Sequence, residues 1–296
     1  MIRRHSSKLE ESAPILALLG VTAVWGWTFV IVRDAIAHYP VLPFLALRFS
    51  LAALVLAPVL VRRRSGFFAG LLPGVALAAG YLAQTAGLRL TTASQAGLLT
   101  GLFVVITPIL VFLLAKARPH RATGVAAGAS LLGIALLVAG GSLQPGSTQA
   151  AGDGLEVLTA LAFSIHIVLL SRFSQDVDAA SMAFSQMVVC GVLFDAGSVV
   201  NGGFPAPSTT VWGAILLTAL LASALAFLVQ TRVQQRVSPS RTAVILTAEP
   251  AFATFFGLVL EGDRFGVPQG IGAALILGAI VYHEVSLSRW NQPDAT

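Results

Sequence analysis

Residues 94–115 read SQAGLLTGLFVVITPILVFLLA, and residues 240–260 read SRTAVILTAEPAFATFFGLVL. Each run is apolar over the roughly 20 residues that a helix needs to cross a hydrocarbon core of about 30 Å. Each also carries a proline inside it, Pro108 and Pro250. A proline removes one backbone N–H and frees the carbonyl four residues back, here those of Val104 and Leu246. In lipid such a group is tolerated only where protein, water or a ligand takes it up. Interrupted spans at corresponding places in two halves of a chain point to a transport cavity between the halves. A pair of packing kinks is the plainer alternative, because proline is ordinary in membrane helices.

The rest of the chain agrees with spanning helices. Of 296 residues 56% are hydrophobic and 10% charged, against about 25% charged in a soluble globular protein. Candidate spans fall at 15–33, 42–61, 67–88, 94–115, 122–140, 154–171, 180–200, 211–231, 240–260 and 267–285, ten in all. The polar stretches between them, such as GSLQPGSTQAAGD at 141–153, are too short for a soluble catalytic domain. The single cysteine, Cys190, excludes an internal disulfide framework and a cysteine-based metal cage. Neither a phosphate-binding glycine loop nor a metal-ligand cluster nor a matched nucleophile and base is present, so no enzyme activity and no cofactor are expected.

The pI near 10.1 is explained by where the cations stand. Alternate loops on one side hold Arg3, Arg4, Lys8, Arg62–Arg64, Lys116, Arg118, Arg121, Arg172, Arg232, Arg236, Arg241 and Arg289, fourteen in all. The other side holds Arg33, Arg89 and Arg264, and Arg48 lies inside a span. By the positive-inside rule both termini are expected in the cytoplasm of a bacterial inner-membrane protein. The basic residues form no patch suited to nucleic acid. The run Ile15–Val32 is longer than a signal-peptide core of about 7–15 residues, so an uncleaved first span is expected.

The two halves share ordered similarities. Trp25–Phe29 (WGWTF) falls opposite Phe163–Ile167 (FSIHI), and Arg48 opposite Gln186; Gln84-Thr85 matches Gln230-Thr231, and Leu99-Thr100-Gly101 matches Leu246-Thr247-Ala248. Pro108 matches Pro250, and Gly128-Ala129 matches Gly272-Ala273. Five spans per half is an odd number, so the second half enters the membrane from the opposite side, an inverted repeat. The expected fold is therefore all-α and integral to the membrane, with ten transmembrane helices as two inverted five-helix repeats around a central cavity. Its parts are a cytoplasmic tail 1–14, a first repeat 15–140, a periplasmic linker 141–153, a second repeat 154–285 and a cytoplasmic tail 286–296.

WGWTF at 25–29, LALRF at 45–49, TTASQAGLLTGLFVVITP at 91–108, VSPSRTAVILTAEP at 237–250, and Glu261 followed by GIGAALILGAI at 270–280 together resemble the drug/metabolite transporter superfamily, in particular its ten-helix exporters built from two EamA-type repeats. The resemblance covers nearly the whole chain. It departs after the fourth span, where Lys116-Ala117-Arg118 stand against Glu261 in the second half. It implies export of amino acids, related metabolites or drugs, with aromatic amino-acid exporters of the YddG type as the nearest fit. It also implies a cavity formed by spans 1, 3, 4, 6, 8 and 9.

Polar groups at depth are the candidate site. Arg48 suits a substrate carboxylate held bidentately, or else reaches the surface or bonds a neighbouring carbonyl. Glu249 suits a substrate ammonium or a transported proton, or else bonds the backbone opened by the break. His166 suits a substrate bond, or is a satisfied packing residue. Gln84, Gln95, Gln186 and Gln230 can donate and accept without charge, to a zwitterion or between helices. Thr28 belongs to the WGWTF run that carries the resemblance. Trp25, Trp27, Tyr81, Phe163 and Phe227 are candidates for the wall of an aromatic-accepting pocket, Trp25 and Tyr81 foremost. Asp195 and Glu156 stand nearer span ends and are expected to be solvated or paired. The function expected is secondary or facilitated export of amino acids by alternating access, with the lipid bilayer, a small-molecule substrate and protons as partners. Proton-coupled drug efflux, and a membrane-embedded enzyme or lipid-handling scaffold, are the alternatives.

Overall fold

The computed structural model describes residues 8–58, 65–91, 93–116, 119–139, 147–261 and 266–290. Arg3, Arg4, Arg62–Arg64, Arg118 and Arg264, with much of the expected tails and linker, lie outside them. The described residues are mostly helical, joined by short turns, with no strand among them. The helices are α1 (Lys8–His38), α2 (Val41–Leu56), α3 (Leu71–Leu88), α4 (Ala93–Thr100), α5 (Phe103–Ala115), α6 (Arg121–Ala139) and α7 (Ser147–Phe173). They continue as α8 (Ala179–Val200), α9 (Thr209–Leu217), α10 (Ala226–Gln234), α11 (Pro239–Leu246), α12 (Ala248–Phe256) and α13 (Val267–Trp290).

Ten spans result, because three of them are interrupted. The fourth is α4 followed by α5, and the ninth is α11 followed by α12. The eighth joins α9 to α10 through a π-helical stretch, Thr218–Leu225. Among the described residues seven helical segments are long and apolar enough to cross a membrane, and Val41–Leu56, Phe103–Leu114 and Arg121–Leu136 are shorter apolar ones. The second span, expected to run to residue 61, is described as helix to Leu56.

Local chemistry sets several starts. Ser238 accepts from the Arg241 N–H at 3.3 Å and is followed by Pro239, whose missing N–H costs nothing in a first turn. Asp178 caps α8 through Ser181 N at 2.8 Å, and Ser208 caps α9 through Val211 N at 3.3 Å.

The interruptions match between the halves. In the fourth span the ladder tightens at Gly101-Leu102, where Leu102 N bonds Leu99 O at 3.1 Å and Val104 N bonds Gly101 O at 3.1 Å. In the ninth it does so at Thr247, whose N bonds Val244 O at 3.3 Å. These are the Leu-Thr-Gly and Leu-Thr-Ala positions paired in the sequence. Pro250 follows its break closely and deprives Leu246 O, the last residue of α11, of a helical donor. Pro108 instead lies within α5, so the first-half break belongs to Gly101-Leu102.

Packing follows a pseudo-two-fold pattern. The second span packs on the seventh and the fifth on the tenth, each on its own counterpart. The first packs on the eighth and ninth, as the sixth packs on the third and fourth. Exchanging each span with the one five further along reproduces the arrangement. Glycine permits close crossings: a Cβ on Gly26 would lie 2.6 Å from Phe252 Cβ and 2.7 Å from Ala253 N. One on Gly133 would lie 2.6 Å from Gly272 O, between the fifth and tenth spans. The outer surface carries large exposed apolar side chains, among them Leu54, Leu132, Val192 and Val281, as a lipid-facing surface requires.

Candidate functional site

A cavity opens at the seam between the halves. One lobe is lined by Trp25 of α1, Leu77, Tyr81 and Gln84 of α3, Phe103 of α5, Phe163, His166 and Ile167 of α7, Phe227 and Gln230 of α10, Leu246 of α11 and Glu249 of α12. These belong to spans 1, 3, 4, 6, 8 and 9. A second lobe shares Trp25, Tyr81, Gln84 and Glu249 with the first and adds Thr28 and Arg48. Ten candidate residues from the sequence thus line two adjoining lobes that share four of them. The side chain of Gln95 lies outside the described residues. Trp27 is placed elsewhere, against Phe256 at 6.3 Å between ring centres.

The lobes offer about 40 and 30 Å³ to the centre of a water molecule. A water needs about 10–15 Å³ by that measure, so each lobe holds a few waters and no amino acid. The site is contracted here.

Aromatic rings form the walls. Phe227 lies 5.4 Å from Trp25, 6.0 Å from Tyr81 and 5.8 Å from His166, ring centre to ring centre. Tyr81 meets Phe163 edge-on at 5.4 Å. Such tilted and edge-on contacts suit the ring quadrupoles.

Arg48 is 3% exposed. Its Nε donates to Ser223 Oγ at 2.8 Å, and its Nη2 to Tyr81 Oη at 3.3 Å and Ala222 O at 3.4 Å. The guanidinium stacks 4.7 Å from the Tyr81 ring centre and 5.2 Å from that of Phe49. Nη1 alone makes no hydrogen bond among the described residues. Of the alternatives the sequence left open, the bond to a neighbouring carbonyl is present, and two of the three nitrogens hold the third and eighth spans. Ala222 lies in the π-helical stretch, where the wider turn offers its carbonyl to partners outside the helix.

Glu249 is 7% exposed and stands in the first turn of α12, where free backbone N–H groups favour a negative side chain. Among the described residues it makes no hydrogen bond or ion pair. Glu156 is wholly buried and paired through one oxygen: its Oε2 accepts from Thr100 Oγ1 at 3.0 Å, while its Oε1 has no partner. Asp195 is paired, accepting from Ser50 Oγ at 2.9 Å. Thr28 donates to Trp25 O at 2.9 Å within its own helix.

His166 Nε2 meets Gln186 Oε1 at 2.8 Å, and Gln186 Nε2 meets Met182 O and Thr231 Oγ1, both at 3.3 Å. Gln230 Nε2 donates to Gln234 Oε1 at 2.9 Å. Gln234, Ser223 and the Ala222 carbonyl were not singled out in the sequence. Gln234 had a signal, the i, i+4 spacing to Gln230 that places both on one helix face. The other two depend on the π-helical stretch, which no residue type there marks. No group of three metal-ligating side chains occurs among the described residues.

The profile of the EamA-like transporter family matches residues 12–139 and again 150–283. An uncharacterized transporter of Archaeoglobus fulgidus is 32% identical over 267 residues, covering 90% of this chain and 84% of that protein. The uncharacterized inner membrane transporter YedA of Escherichia coli K12 is 25% identical over 94% of this chain and 92% of its own. The uncharacterized transporter YoaV of Bacillus subtilis is 23% identical over 93% and 98%. A solved crystal structure superimposes with a TM-score of 0.77 over 95% of this chain and 99% of that one, at 18% identity, a likeness of fold.

Proposed function

The chain belongs to the EamA-like transporter family and is a multi-pass membrane transporter, and from that premise we propose that it exports amino acids with aromatic or apolar side chains across the bacterial inner membrane. The observation that carries this reading is a seam cavity with aromatic walls whose two ionisable residues of opposite sign, Glu249 and Arg48, line adjoining lobes. A zwitterion with a ring or apolar side chain has complementary parts, since a few polar anchors among apolar walls fix the orientation of a small ligand.

Transport proceeds by alternating access between the repeats 15–140 and 154–285, with both termini cytoplasmic. The matched breaks at Gly101-Leu102 and Thr247 support this, because interrupted helices in both halves give each bundle a place to bend about a midplane site. The contracted cavity is then an occluded stage of the cycle. Nothing in the chain binds or hydrolyses ATP by a recognisable motif, so flux runs down the gradient of the amino acid or of protons.

The test is saturable movement of labelled phenylalanine and tryptophan out of liposomes containing the purified protein, with competition by other amino acids. No saturable flux of any amino acid overturns the reading. A second reading, proton-coupled efflux of organic cations, draws on Glu249 lining the cavity without a protein partner; a pH-driven flux of a quaternary ammonium dye with no flux of phenylalanine favours it instead.

A further inference from the structure

The side chains behind the cavity wall determine which polar atoms of the wall are left without a protein partner. The Gln234 amide lies against Ile167 O at 2.9 Å and Ser171 Oγ at 2.7 Å. A backbone carbonyl can only accept, so the Gln234 nitrogen faces it and the Gln234 oxygen faces Gln230. That oxygen takes the Gln230 N–H at 2.9 Å. The Gln230 oxygen is therefore left over: it is buried, in a residue 1% exposed, and has no partner. Gln230 lines the cavity.

A second relay works on His166. Thr231 Oγ1 donates to Phe227 O at 2.6 Å, so it can only accept from Gln186 Nε2. Met182 O also accepts from that nitrogen. Gln186 Oε1 is then the acceptor facing His166, which must carry its proton on Nε2. In the neutral ring the lone pair falls on Nδ1, which makes no hydrogen bond among the described residues. Glu249, a third acceptor, lines the same lobe without a partner. Arg48 lines the other lobe and spends Nε and Nη2 on protein.

We infer that this lobe is a primary-ammonium subsite, in which Gln230 Oε1, His166 Nδ1 and the Glu249 carboxylate accept the three N–H bonds of a substrate amine, with Gln234 and Gln186 as the positioning residues that orient the first two. The subsite deepens the amino-acid reading and rests on it for the identity of the amine. Three acceptors suit an –NH₃⁺ group, which has three donors and no acceptor. The rings of Trp25, Tyr81, Phe163 and Phe227 add faces that attract any cation. The acceptors separate the two contributions, because a quaternary ammonium keeps the charge and loses every donor.

The experiment is calorimetric binding of phenethylamine, its N,N,N-trimethyl analogue and 3-phenylpropionate to the full-length protein in lipid nanodiscs. Phenethylamine is expected to bind at least tenfold tighter than the trimethyl analogue. Gln230→Met removes that preference, and Gln234→Met, outside the cavity wall, reduces it severalfold by freeing the Gln230 amide to turn. Retained binding of the trimethyl analogue reports that each variant is folded. Equal binding of the two amines by the wild type, binding of neither, or an unchanged preference in both folded variants overturns the subsite. Should the amines be discriminated while liposomes show no amino-acid flux, the substrate reading falls and the subsite stands. Should phenylalanine be transported with 3-phenylpropionate competing as well as phenylalanine does, the transporter stands and the subsite falls.

Discussion

Trp25 and Arg48 bond the same backbone oxygen: the indole Nε1 of Trp25 donates to Ala222 O at 2.9 Å, and Nη2 of Arg48 reaches it at 3.4 Å. The first, second and eighth spans are thereby tied at one carbonyl of a widened helical turn. Trp25→Phe keeps the ring beside Phe227 and removes the strongest donor of this junction. A hydrogen bond between membrane helices is worth about 0.6 kcal/mol on average and about 1.7 at most. For a chain of this size the expected result is a Tm about 2–4 °C lower per kcal/mol lost, read by thermal unfolding in detergent. An unchanged Tm shows that Arg48 alone suffices.

Gly26→Ala is expected to be far more damaging than its size suggests. The added methyl meets the backbone of Ala253 and the Cβ of Phe252, neither of which can swing aside. The first and ninth spans must separate, which costs about 1–3 kcal/mol as overpacking and displaces Trp25 and Glu249 together. Gly20→Ala on the same helix meets nothing within 4 Å. That substitution is expected to be neutral or to stabilise by about 0.5–1 kcal/mol through helix propensity. Parallel Tm and flux measurements on the two variants decide the matter.

Glu249→Gln separates a ligand role from a structural one. The carboxyl has no partner to lose among the described residues, so Tm is expected to shift by no more than about 2 °C, less than 1 kcal/mol at this chain length. Binding of phenylalanine is expected to weaken about tenfold or more, since one such factor corresponds to about 1.4 kcal/mol. A variant that binds normally but unfolds early assigns Glu249 to the scaffold.

Arg241 of α11 grips the carboxylate of Glu284 on α13, with Nε at 2.9 and 3.0 Å from its two oxygens and Nη2 also in contact. Neighbouring His283 bonds Thr123 through Nε2 at 3.1 Å, so the fifth, ninth and tenth spans meet here. A double-mutant cycle with Arg241→Met and Glu284→Gln is expected to give a coupling of about 1 kcal/mol, at the upper end for a partly exposed pair. A coupling near zero makes the bridge incidental to stability.

The architecture was legible because lipid allows few solutions. Apolar length fixed the spans, and the ordered matches between halves fixed the pairing that the packing then displays. The wall of the cavity was legible for the same reason: Tyr81, Gln84, His166 and Glu249 are conspicuous in spans that otherwise exclude such groups. What remained hidden is whatever depends on geometry rather than residue type. Arg48 reads identically whether its nitrogens are free or spent on Ser223 and Tyr81. Pro108 reads as the site of the first-half break, yet the ladder gives way at Gly101-Leu102, where no proline stands. Glu156, near a span end, reads equally as solvated or paired, and the enclosure that pairs it with Thr100 is a matter of geometry.

The widened stretch at Thr218–Leu225 also sets the phase of everything that follows it. An α-helix turns about 100° per residue. Removing one residue from that stretch would rotate α10 by about that angle against its neighbours. Phe227, Gln230 and Gln234 would then swing off the seam and a different side of the helix would meet the cavity. The widened stretch therefore acts as an angular offset, and the chemistry of the site depends on the count of residues upstream as much as on their identity.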